Sequence, residues 1–296
     1  MNGDSNTEET RLRDKTKKIL LFILGFSFAL TLISISSKLH ESNRYDRRNE
    51  KATVRFPLVS PLLFCSTNES IENGIYSSFR FKVEHYVNNI MSNKKANHVS
   101  VYYRDLNNGP WFGINEDEGF TPSSLLKLPL LISALKENEE VDNVFINQTV
   151  KFEKKEFIGN QYFKPEIELE PSKTYTVSEL LKRSIIYSDN ESAILLYKIL
   201  GDTKLIETYV NLGLISPQSV SNFNMNVKEY SSFFRVLYNS SYIGKESSEF
   251  ALELLSESKF ENGIRSGVPK DIIVSHKFGE QINKDSVLQL HDCGIV

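Results

Sequence analysis

Hydrophobic and polar positions follow two different periods along the main part of the chain. Apolar residues three to four positions apart predict helices. This spacing occurs in FRFKVEHYVNNIMSN (79–93), SSLLKLPLLISALKEN (123–138), VSELLKRSIIYS (177–188), NESAILLYKIL (190–200), TKLIETYVNLG (203–213), NVKEYSSFFRVLYN (226–239) and SSEFALELLSES (247–258). Alternating or short apolar runs predict strands. These occur in HVSVYYRDL (98–106), PWFGI (110–114), DIIVSHKFG (271–279) and SVLQLHDCGIV (286–296).

The order of these elements indicates the fold class. A strand pair comes first, a block of helices follows, and two strands end the sequence. This order favours a sheet with helices packed on it and a second group of helices beside it. We therefore predict an α/β (α+β) fold with an antiparallel sheet flanked by helices and a mainly helical subdomain.

Several residues predict where the elements begin and end. Thr176 and Glu179 have the spacing of a capping box, which opens a helix. Gly201 and Gly213 are expected to end the two helices that precede them. Pro129 is tolerable only in the first turns of its helix or at a kink.

An uncharged stretch near the N-terminus predicts a membrane segment. Ile19 to Ile35 holds 17 residues without a charge, and a membrane span needs about 17–25 residues. We prefer an uncleaved anchor over 19–37 to a cleavable signal peptide that would end at the poor small-x-small site Ser34-Ile35-Ser36.

The anchor divides the chain into four parts. Residues 1–18 form a basic tail, residues 38–55 a polar linker, and residues 56–296 the main domain. The tighter cluster of Lys and Arg lies before the span, so we expect the tail inside the cell and the domain outside. The predicted localisation is a membrane-anchored protein with an extracytoplasmic catalytic domain.

Composition excludes several classes of function. The chain has 296 residues and a formal net charge of −3, and nine of its basic residues lie in the first 48 positions. The acidic main domain argues against a nucleic-acid partner. The two cysteines, Cys65 and Cys293, either pair or remain separate thiols. The histidines show no metal-ligand spacing, so we expect no metal and no cofactor.

The first motif with candidate chemistry is Ser124-Leu125-Leu126-Lys127. Residues three apart on a helix are neighbours on one face. A serine at a helix N-terminus lies where negative charge is favoured, and a neutral lysine one turn on is able to take its proton. The alternative for this common pattern is a helix cap with a surface lysine.

Two further motifs lie later in the chain. Ser188-Asp189-Asn190 separates two apolar helices; it is either a capping loop or a second hydroxyl with an amide that orients a substrate. His276-Lys277-Phe278-Gly279-Glu280 ends a strand. It is either a solvated strand end or a cation that lowers nearby pKa values, followed by a glycine that allows a substrate to approach the backbone.

Together and in this order, the three motifs resemble the S-x-x-K, S-D-N and K-T-G set of class A β-lactamases and penicillin-binding proteins. The surrounding segments GFTPSSLLKLPLL and GVPKDIIVSHKFGE are similar to those of the family as well, and the resemblance covers roughly residues 75–296. It implies the β-lactamase-like form of the predicted fold and serine acyl chemistry.

The resemblance implies catalytic roles for three residues. Ser124 would attack an amide or ester carbonyl and become acylated. Lys127 is a candidate general base, and Ser188 would relay a proton to the leaving nitrogen.

It implies substrate-binding roles for four others. Asn190 would position the substrate side chain, and Lys277 would support Ser188 and the substrate carboxylate. Gly279 would lie close to the substrate, and the backbone N–H groups of Ser124 and Glu280 would form the oxyanion hole.

Two departures from the family pattern bear on the substrate and on turnover. Phe278 stands where the family usually has Thr or Ser, so a hydroxyl for the β-lactam carboxylate is missing. The segment GLISPQSVSNFNMN (213–226) holds no acidic residue that would activate the deacylating water. Glu207 and Glu229 flank it inside helical patterns and are interpreted as surface charges.

A third departure concerns the C-terminus. In the family, a further strand and a long helix follow the strand that ends here at Val296, and we expect both to be missing. The missing strand would lie between that strand and residues 98–105. We therefore expect a split sheet, weak cooperative melting and poor enzymatic activity for this chain.

The leading prediction is a serine hydrolase that forms an acyl-enzyme with β-lactams or related amides. One alternative is a penicillin-binding D-alanyl peptidase or transpeptidase of cell-wall peptides, and another is a non-catalytic penicillin-binding sensor. The expected partners are a β-lactam or cell-wall peptide and the membrane, and we expect a monomer.

Tyr162 or Phe163 is either an aromatic wall before the second motif or, by preference, part of the core.

Overall fold

The structure is a computed structural model. It describes residues 57–60, 76–107, 109–154, 163–165, 167–217, 223–282 and 287–296. These residues belong to the unit Phe56–Val296. No helix within them is long and apolar enough to cross a membrane. The predicted tail, anchor and linker, and also Cys65, lie outside the described residues.

The described residues form helices and short strands in the order that the sequence predicts. The helices are α1 Ser77–Ser92, α2 Lys127–Glu140, α3 Val177–Ile186, α4 Asn190–Asn211, α5 Val227–Tyr238 and α6 Lys245–Ser256. The strands are β1 Val101–Arg104, β2 Trp111–Ile114, β3 Gly119–Phe120, β4 Thr149–Lys151, β5 Thr174–Thr176, β6 Met225–Asn226, β7 Ser275–Ile282 and β8 Leu288–Ile295. Short 3-10 turns occupy Ser123–Leu126, Phe145–Asn147 and Arg265–Gly267. The α/β (α+β) prediction is confirmed.

The strands of the described residues pair only as antiparallel two-stranded sheets. β1 pairs with β2, β3 with β6, β4 with β5, and β7 with β8. The register of the last pair places Lys277 opposite Cys293 and Phe278 opposite Asp292. The hairpins β1–β2 and β7–β8 both contact α5, and within the described residues they do not pair with each other.

Helix α2 lies at the centre of the helical part. Its side chains are buried on nearly every face, which is typical of a helix that is surrounded by other elements. It packs against α4 and α3. The buried apolar residues of α2 are Leu128, Pro129, Leu130, Leu131, Ile132, Ala134 and Leu135. This buried helix carries Lys127 at its first position.

The predicted helix boundaries are largely confirmed, but the strand predicted over 271–279 runs from Ser275 to Ile282, so the third motif lies inside it and not at its end. Thr176 and Glu179 form the capping box of α3, in which each side chain accepts a hydrogen bond from the other residue's backbone N–H. Gly201 interrupts α4 with a φ of +78°, a conformation that side chains with a Cβ disfavour. The two predicted helices 190–200 and 203–213 are therefore one span with a break at Gly201. Pro129 lies in the first turn of α2, where its missing N–H has no helical partner to lose.

The first hairpin is covered by α1. Asn107 and Gly109 lie in the turn, where the Gly109 N–H donates to Asp105 O. Phe79 of α1 packs edge-on against Tyr103 and Phe112, with ring centroids 5.3 and 5.4 Å apart. These contacts join α1 to the hairpin. In the second hairpin, Cys293 lies half-buried on β8 as a free cysteine, and Cys65 lies outside the described residues.

Candidate active site

The first motif lies where a 3-10 turn passes into α2. Ser124 belongs to the turn Ser123–Leu126, and α2 begins at Lys127. The prediction of one continuous helix over 123–138 is therefore wrong in its first turn, which is tighter than an α-helix. The spacing still brings the two side chains together: Lys127 Nζ donates to Ser124 Oγ at 3.0 Å.

Lys127 is the centre of the hydrogen-bond network. Its Nζ lies 2.6 Å from Ser188 O, 3.1 Å from Ser188 Oγ and 2.6 Å from Asn190 Oδ1. Only 5% of the residue is exposed. The sequence alternative of a surface lysine is therefore wrong.

Burial changes the protonation of this lysine. An ammonium group that loses its water is disfavoured against the neutral amine. This desolvation lowers the pKa of Lys127 to about 7, although the charges of Asp189 and Glu280 act in the opposite direction. Near neutral pH a large share of the molecules therefore carries a neutral amine that is able to accept the Ser124 proton.

The second motif combines a structural and a chemical part. Asp189 caps α4, because its carboxylate accepts hydrogen bonds from the Glu191 and Ser192 N–H groups. Ser188 and Asn190, on either side of it, point to Lys127 instead. Ser188 has a φ of +53°, which is strained for a residue with a Cβ. Such a conformation costs about 1–3 kcal/mol and persists where the surroundings impose it.

The third motif lies on a buried strand. Lys277 Nζ donates to Ser188 Oγ at 2.9 Å and to Phe278 O at 2.9 Å, and its residue is completely buried. Burial, followed by the charge of Lys127, holds the pKa of Lys277 well below its usual value. The alternative of a solvated strand end is wrong. The contacts thus form one path from Ser124 through Lys127 and Ser188 to Lys277.

Gly279 brings β7 against the turn that carries the serine. A Cβ at this position would lie 2.9 Å from Pro122 O and 3.1 Å from Leu125 N. The expected close approach to the backbone therefore exists, and the neighbour in this structure is the 3-10 turn. The backbone N–H groups of Ser124 and Glu280 lie on these two adjoining segments. Their joint role in an oxyanion hole stays a prediction.

Two polar contacts beside the site, made by Glu280 and Gln281, join β7 to other segments. Glu280 Oε1 accepts a hydrogen bond from the Phe163 N–H at 2.6 Å. Ser123 Oγ donates to Gln281 Oε1 at 2.9 Å. These bonds connect the strand with the segment 163–165 and with the turn that contains Ser124.

Phe278 belongs to an aromatic cluster that the sequence did not reveal. Its ring stacks on Phe260 with centroids 4.1 Å apart and an interplanar angle of 14°. Phe163 meets it edge-on at 4.8 Å. Phe163 is half-buried against these rings, as the preferred packing role requires, and Tyr162 lies outside the described residues. Phe260 gives no signal in the sequence, because it lies in a short loop without periodicity.

Tyr230 is a further residue that sequence reasoning missed. Its hydroxyl donates to Leu125 O at 2.9 Å and so supports the turn that contains Ser124. It lies on the apolar side of the predicted helix 226–239, where an aromatic residue indicates packing. Periodicity says nothing about a partner 105 positions earlier in the chain.

The two glutamates near the segment 213–226 are engaged elsewhere. Glu207 is exposed and pairs with Lys204 at 3.9 Å, as its interpretation as a surface charge requires. Glu229 forms a capping box with Asn226 at the start of α5, so its interpretation as a plain surface charge is incomplete.

Among the described residues, the carboxylates whose charges act on Lys127 are Asp189 and Glu280. No cluster of His, Cys, Asp and Glu within those residues is arranged to hold a metal ion.

Comparison with known proteins gives similarities that agree on one family. The model of the beta-lactamase enzyme family matches residues 82–296. Beta-lactamase VEB-1 of Pseudomonas aeruginosa is 22% identical over 228 residues, which cover 71% of this chain and 76% of the relative.

Solved structures show the same fold. A beta-lactamase from Chitinophaga pinensis aligns with a TM-score of 0.62 and 21% identity, over 72% of this chain and 84% of that protein. PBP-A, solved as a variant in its acyl-enzyme complex with penicillin G, aligns with a TM-score of 0.58 and 15% identity, over 73% and 80% of the two chains.

Proposed function

Because the chain belongs to the beta-lactamase enzyme family, we propose that it is a serine hydrolase that forms an acyl-enzyme with β-lactams or related amides. One observation carries this proposal. Ser124 Oγ lies 3.0 Å from the buried Lys127 Nζ, and hydrogen bonds lead on from Lys127 through Ser188 Oγ to Lys277 Nζ. A nucleophile beside a base that is itself oriented by further groups is the arrangement that covalent catalysis requires.

The proposed mechanism begins with proton transfer from Ser124 Oγ to the neutral amine of Lys127. The serine oxygen then attacks the carbonyl carbon, and negative charge develops on the carbonyl oxygen. The N–H groups of Ser124 and Glu280 would stabilise that charge; a donor of this kind is worth about 10²–10³ in rate. Ser188 Oγ, which lies between the two lysine amines, would pass a proton to the leaving nitrogen as the amide bond breaks.

Release of the acyl group distinguishes the second candidate function. The segment 213–226 holds no Asp or Glu, and Glu207 and Glu229 make the ion-pair and capping contacts described above. Slow release would suit a penicillin-binding D-alanyl peptidase or transpeptidase, or a sensor whose acylated state is the signal. The similarity to PBP-A is compatible with this alternative.

Mass spectrometry of the intact protein with benzylpenicillin tests the proposal. We expect a covalent adduct in the wild type and none in Ser124→Ala, since that variant lacks the nucleophile. An adduct that persists supports the penicillin-binding alternatives, and a rapid return to the free mass supports hydrolysis. Labelling that survives in Ser124→Ala would overturn the assignment of the nucleophile.

We also propose that residues 19–37 anchor the protein in a membrane with the domain outside. The uncharged run Ile19 to Ile35 and the basic residues before it support this proposal. The protein should be found in the membrane fraction with its N-terminal tail intact. N-terminal sequencing that finds a start near Ser37 would replace the anchor with a cleaved signal peptide.

A further inference from the structure

A proline removes one hydrogen bond from the helix that follows Ser124. In an α-helix, each carbonyl accepts a hydrogen bond from the N–H four residues later, so the partner of Leu125 O would be residue 129. That residue is Pro129, which has no N–H and whose ring clashes with the carbonyl four residues before it. The proline therefore disfavours an α-helical turn here, in agreement with the 3-10 turn Ser123–Leu126.

A tyrosine from another helix provides a donor for this carbonyl. Tyr230 lies on α5, and its hydroxyl donates to Leu125 O at 2.9 Å. Only 2% of Tyr230 is exposed, and the rings of Phe233 and Phe234 meet it edge-on at centroid distances of 5.6 and 6.1 Å. Burial holds the pKa of Tyr230 well above its usual value, so the hydroxyl stays protonated and remains a donor.

The residue after Ser124 is thus held at both of its backbone polar groups. The Leu125 N–H donates to Pro122 O at 2.9 Å, and the Leu125 carbonyl accepts from Tyr230. Ser124 is bonded directly to this residue, and its Oγ lies 3.0 Å from Lys127 Nζ. A shift of Leu125 would therefore move the serine oxygen relative to the amine, and proton transfer is sensitive to such small displacements.

We propose that Tyr230 is a positioning residue for the serine: its hydroxyl replaces the hydrogen bond that Pro129 removes and so keeps Ser124 Oγ within reach of Lys127 Nζ. The inference rests on the proposed role of Ser124 as nucleophile. Tyr230 acts through Leu125 and does not itself touch a substrate. Without the hydroxyl, a buried carbonyl would lose this donor, and the turn would shift toward another one.

Tyr230→Phe tests the proposal because it removes a single oxygen atom. The full-length protein in detergent is mixed with benzylpenicillin over a range of concentrations, and mass spectrometry follows the adduct on Ser124. This series separates the limiting rate of acylation from the concentration that gives half of it. We expect the limiting rate to fall at least about tenfold, because the serine is misplaced, and the half-saturating concentration to stay unchanged.

Tyr209→Phe is the matched control. Tyr209 is completely buried and packs on Phe233 with centroids 5.4 Å apart, as Tyr230 does on the same ring at 5.6 Å. Within the described part of the chain, the Tyr209 hydroxyl has no hydrogen-bond partner. Its removal should therefore leave both the limiting rate and the half-saturating concentration unchanged.

A rescue experiment tests the link to the proline. Pro129→Ala restores an N–H four residues after Leu125 O, which gives the carbonyl a second donor. In that background, Tyr230→Phe should slow acylation by less than about threefold, since the loss is compared between otherwise identical proteins. An equal loss in both backgrounds would show that the hydroxyl does not replace the missing helical bond.

Further outcomes would also overturn the positioning role. These are a Tyr230→Phe protein that acylates at the wild-type rate, one that changes only the half-saturating concentration, and one that is unfolded by circular dichroism while Tyr209→Phe is folded.

A fluorophosphonate separates this inference from the proposed function, because it labels activated serines without recognition of a β-lactam. If it labels Ser124 with the expected dependence on Tyr230 while benzylpenicillin gives no adduct, acylation by β-lactams fails and the positioning role stands. If neither compound labels Ser124, the proposed function fails, and the inference fails with it.

Discussion

In the proposed mechanism, proton transfer depends on the protonation of one residue, Lys127. The amine lies within hydrogen-bond distance of Ser124, Ser188 and Asn190, and burial brings its pKa to about 7. In the charged form it has no lone pair for the serine proton. In the neutral form it has two N–H groups for the four oxygens around it and one lone pair that is able to accept the serine proton.

The pH dependence of acylation follows from this lowered pKa. The fraction of neutral Lys127 increases with pH, so the rate of adduct formation with benzylpenicillin should rise through a midpoint of about 7 and level off above it. Stopped-time mass spectrometry between pH 5.5 and 8.5 measures this profile. Lys127→Arg, which stays charged, should lose at least about 100-fold in rate at every pH. A wild-type rate that is constant or falls over this range would rule out Lys127 as the base.

At the scale of elements, the site depends on contact between β7 and the turn Ser123–Leu126. Gly279 permits that contact because the carbonyl of Pro122 and the N–H of Leu125 occupy the place of a side chain. The Ser123–Gln281 hydrogen bond holds the same two segments together. Helix α3 then leads to Ser188 from a start that its capping box defines.

Gly279→Ala should separate the strand from the turn. The new Cβ would lie 2.9 Å from Pro122 O, and backbone atoms are unable to move aside as a flexible side chain does. We expect a loss of about 1–3 kcal/mol in the free energy of unfolding and at least a tenfold slower acylation of Ser124. Gly267→Ala is the matched control, since a Cβ there meets nothing within 4 Å. Equal denaturation midpoints for the two variants would contradict the close packing at Gly279.

The capping box of α3 offers a second prediction about an element. Thr176→Ala removes the side chain that accepts the Glu179 N–H, so it should lower the free energy of unfolding by about 0.5–2 kcal/mol. Glu179→Ala should cost a smaller amount, and Glu179→Gln should recover part of it, because glutamine also reaches the N-cap backbone. Urea denaturation followed by circular dichroism measures the series. A glutamine variant less stable than the alanine variant would speak against the reciprocal cap.

For the whole molecule, cooperativity depends on how its hairpins are joined. Among the described residues, β1–β2 and β7–β8 are separate sheets that both rest on α5. Leu288 and Leu290 of β8 are more than half exposed. Strands with an unpaired edge and an exposed apolar side contribute less to a common core than strands inside a larger sheet.

We therefore expect the chain of 296 residues to melt with low cooperativity. Native-state hydrogen exchange should show fast exchange in β1, β2 and β8 and slow exchange in α2, whose side chains are almost all buried. Differential scanning calorimetry gives the width of the transition. A single sharp and reversible transition well above room temperature, with equal protection in α2 and both hairpins, would show that the hairpins are joined more strongly than their pairing indicates.

The local features of this protein were determined by the sequence itself. Ser124 and Lys127 are three positions apart, so the geometry of one turn brings them together whatever the rest of the chain does. The capping box at Thr176 and the break at Gly201 likewise depend on the residue and its immediate neighbours. The spacing of apolar residues also predicts the order of the elements, because it reflects which side of each element is buried.

Only the tertiary structure decided which motifs meet and what surrounds them. Lys127 and Ser188 are 61 positions apart, and Ser188 and Lys277 are 89 apart. Contacts over such separations depend on how all the buried surfaces fit together, which the spacing of one segment does not encode. The same holds for Phe260 beneath Phe278. It holds also for the pKa of Lys127, because desolvation is the sum of everything packed around the amine.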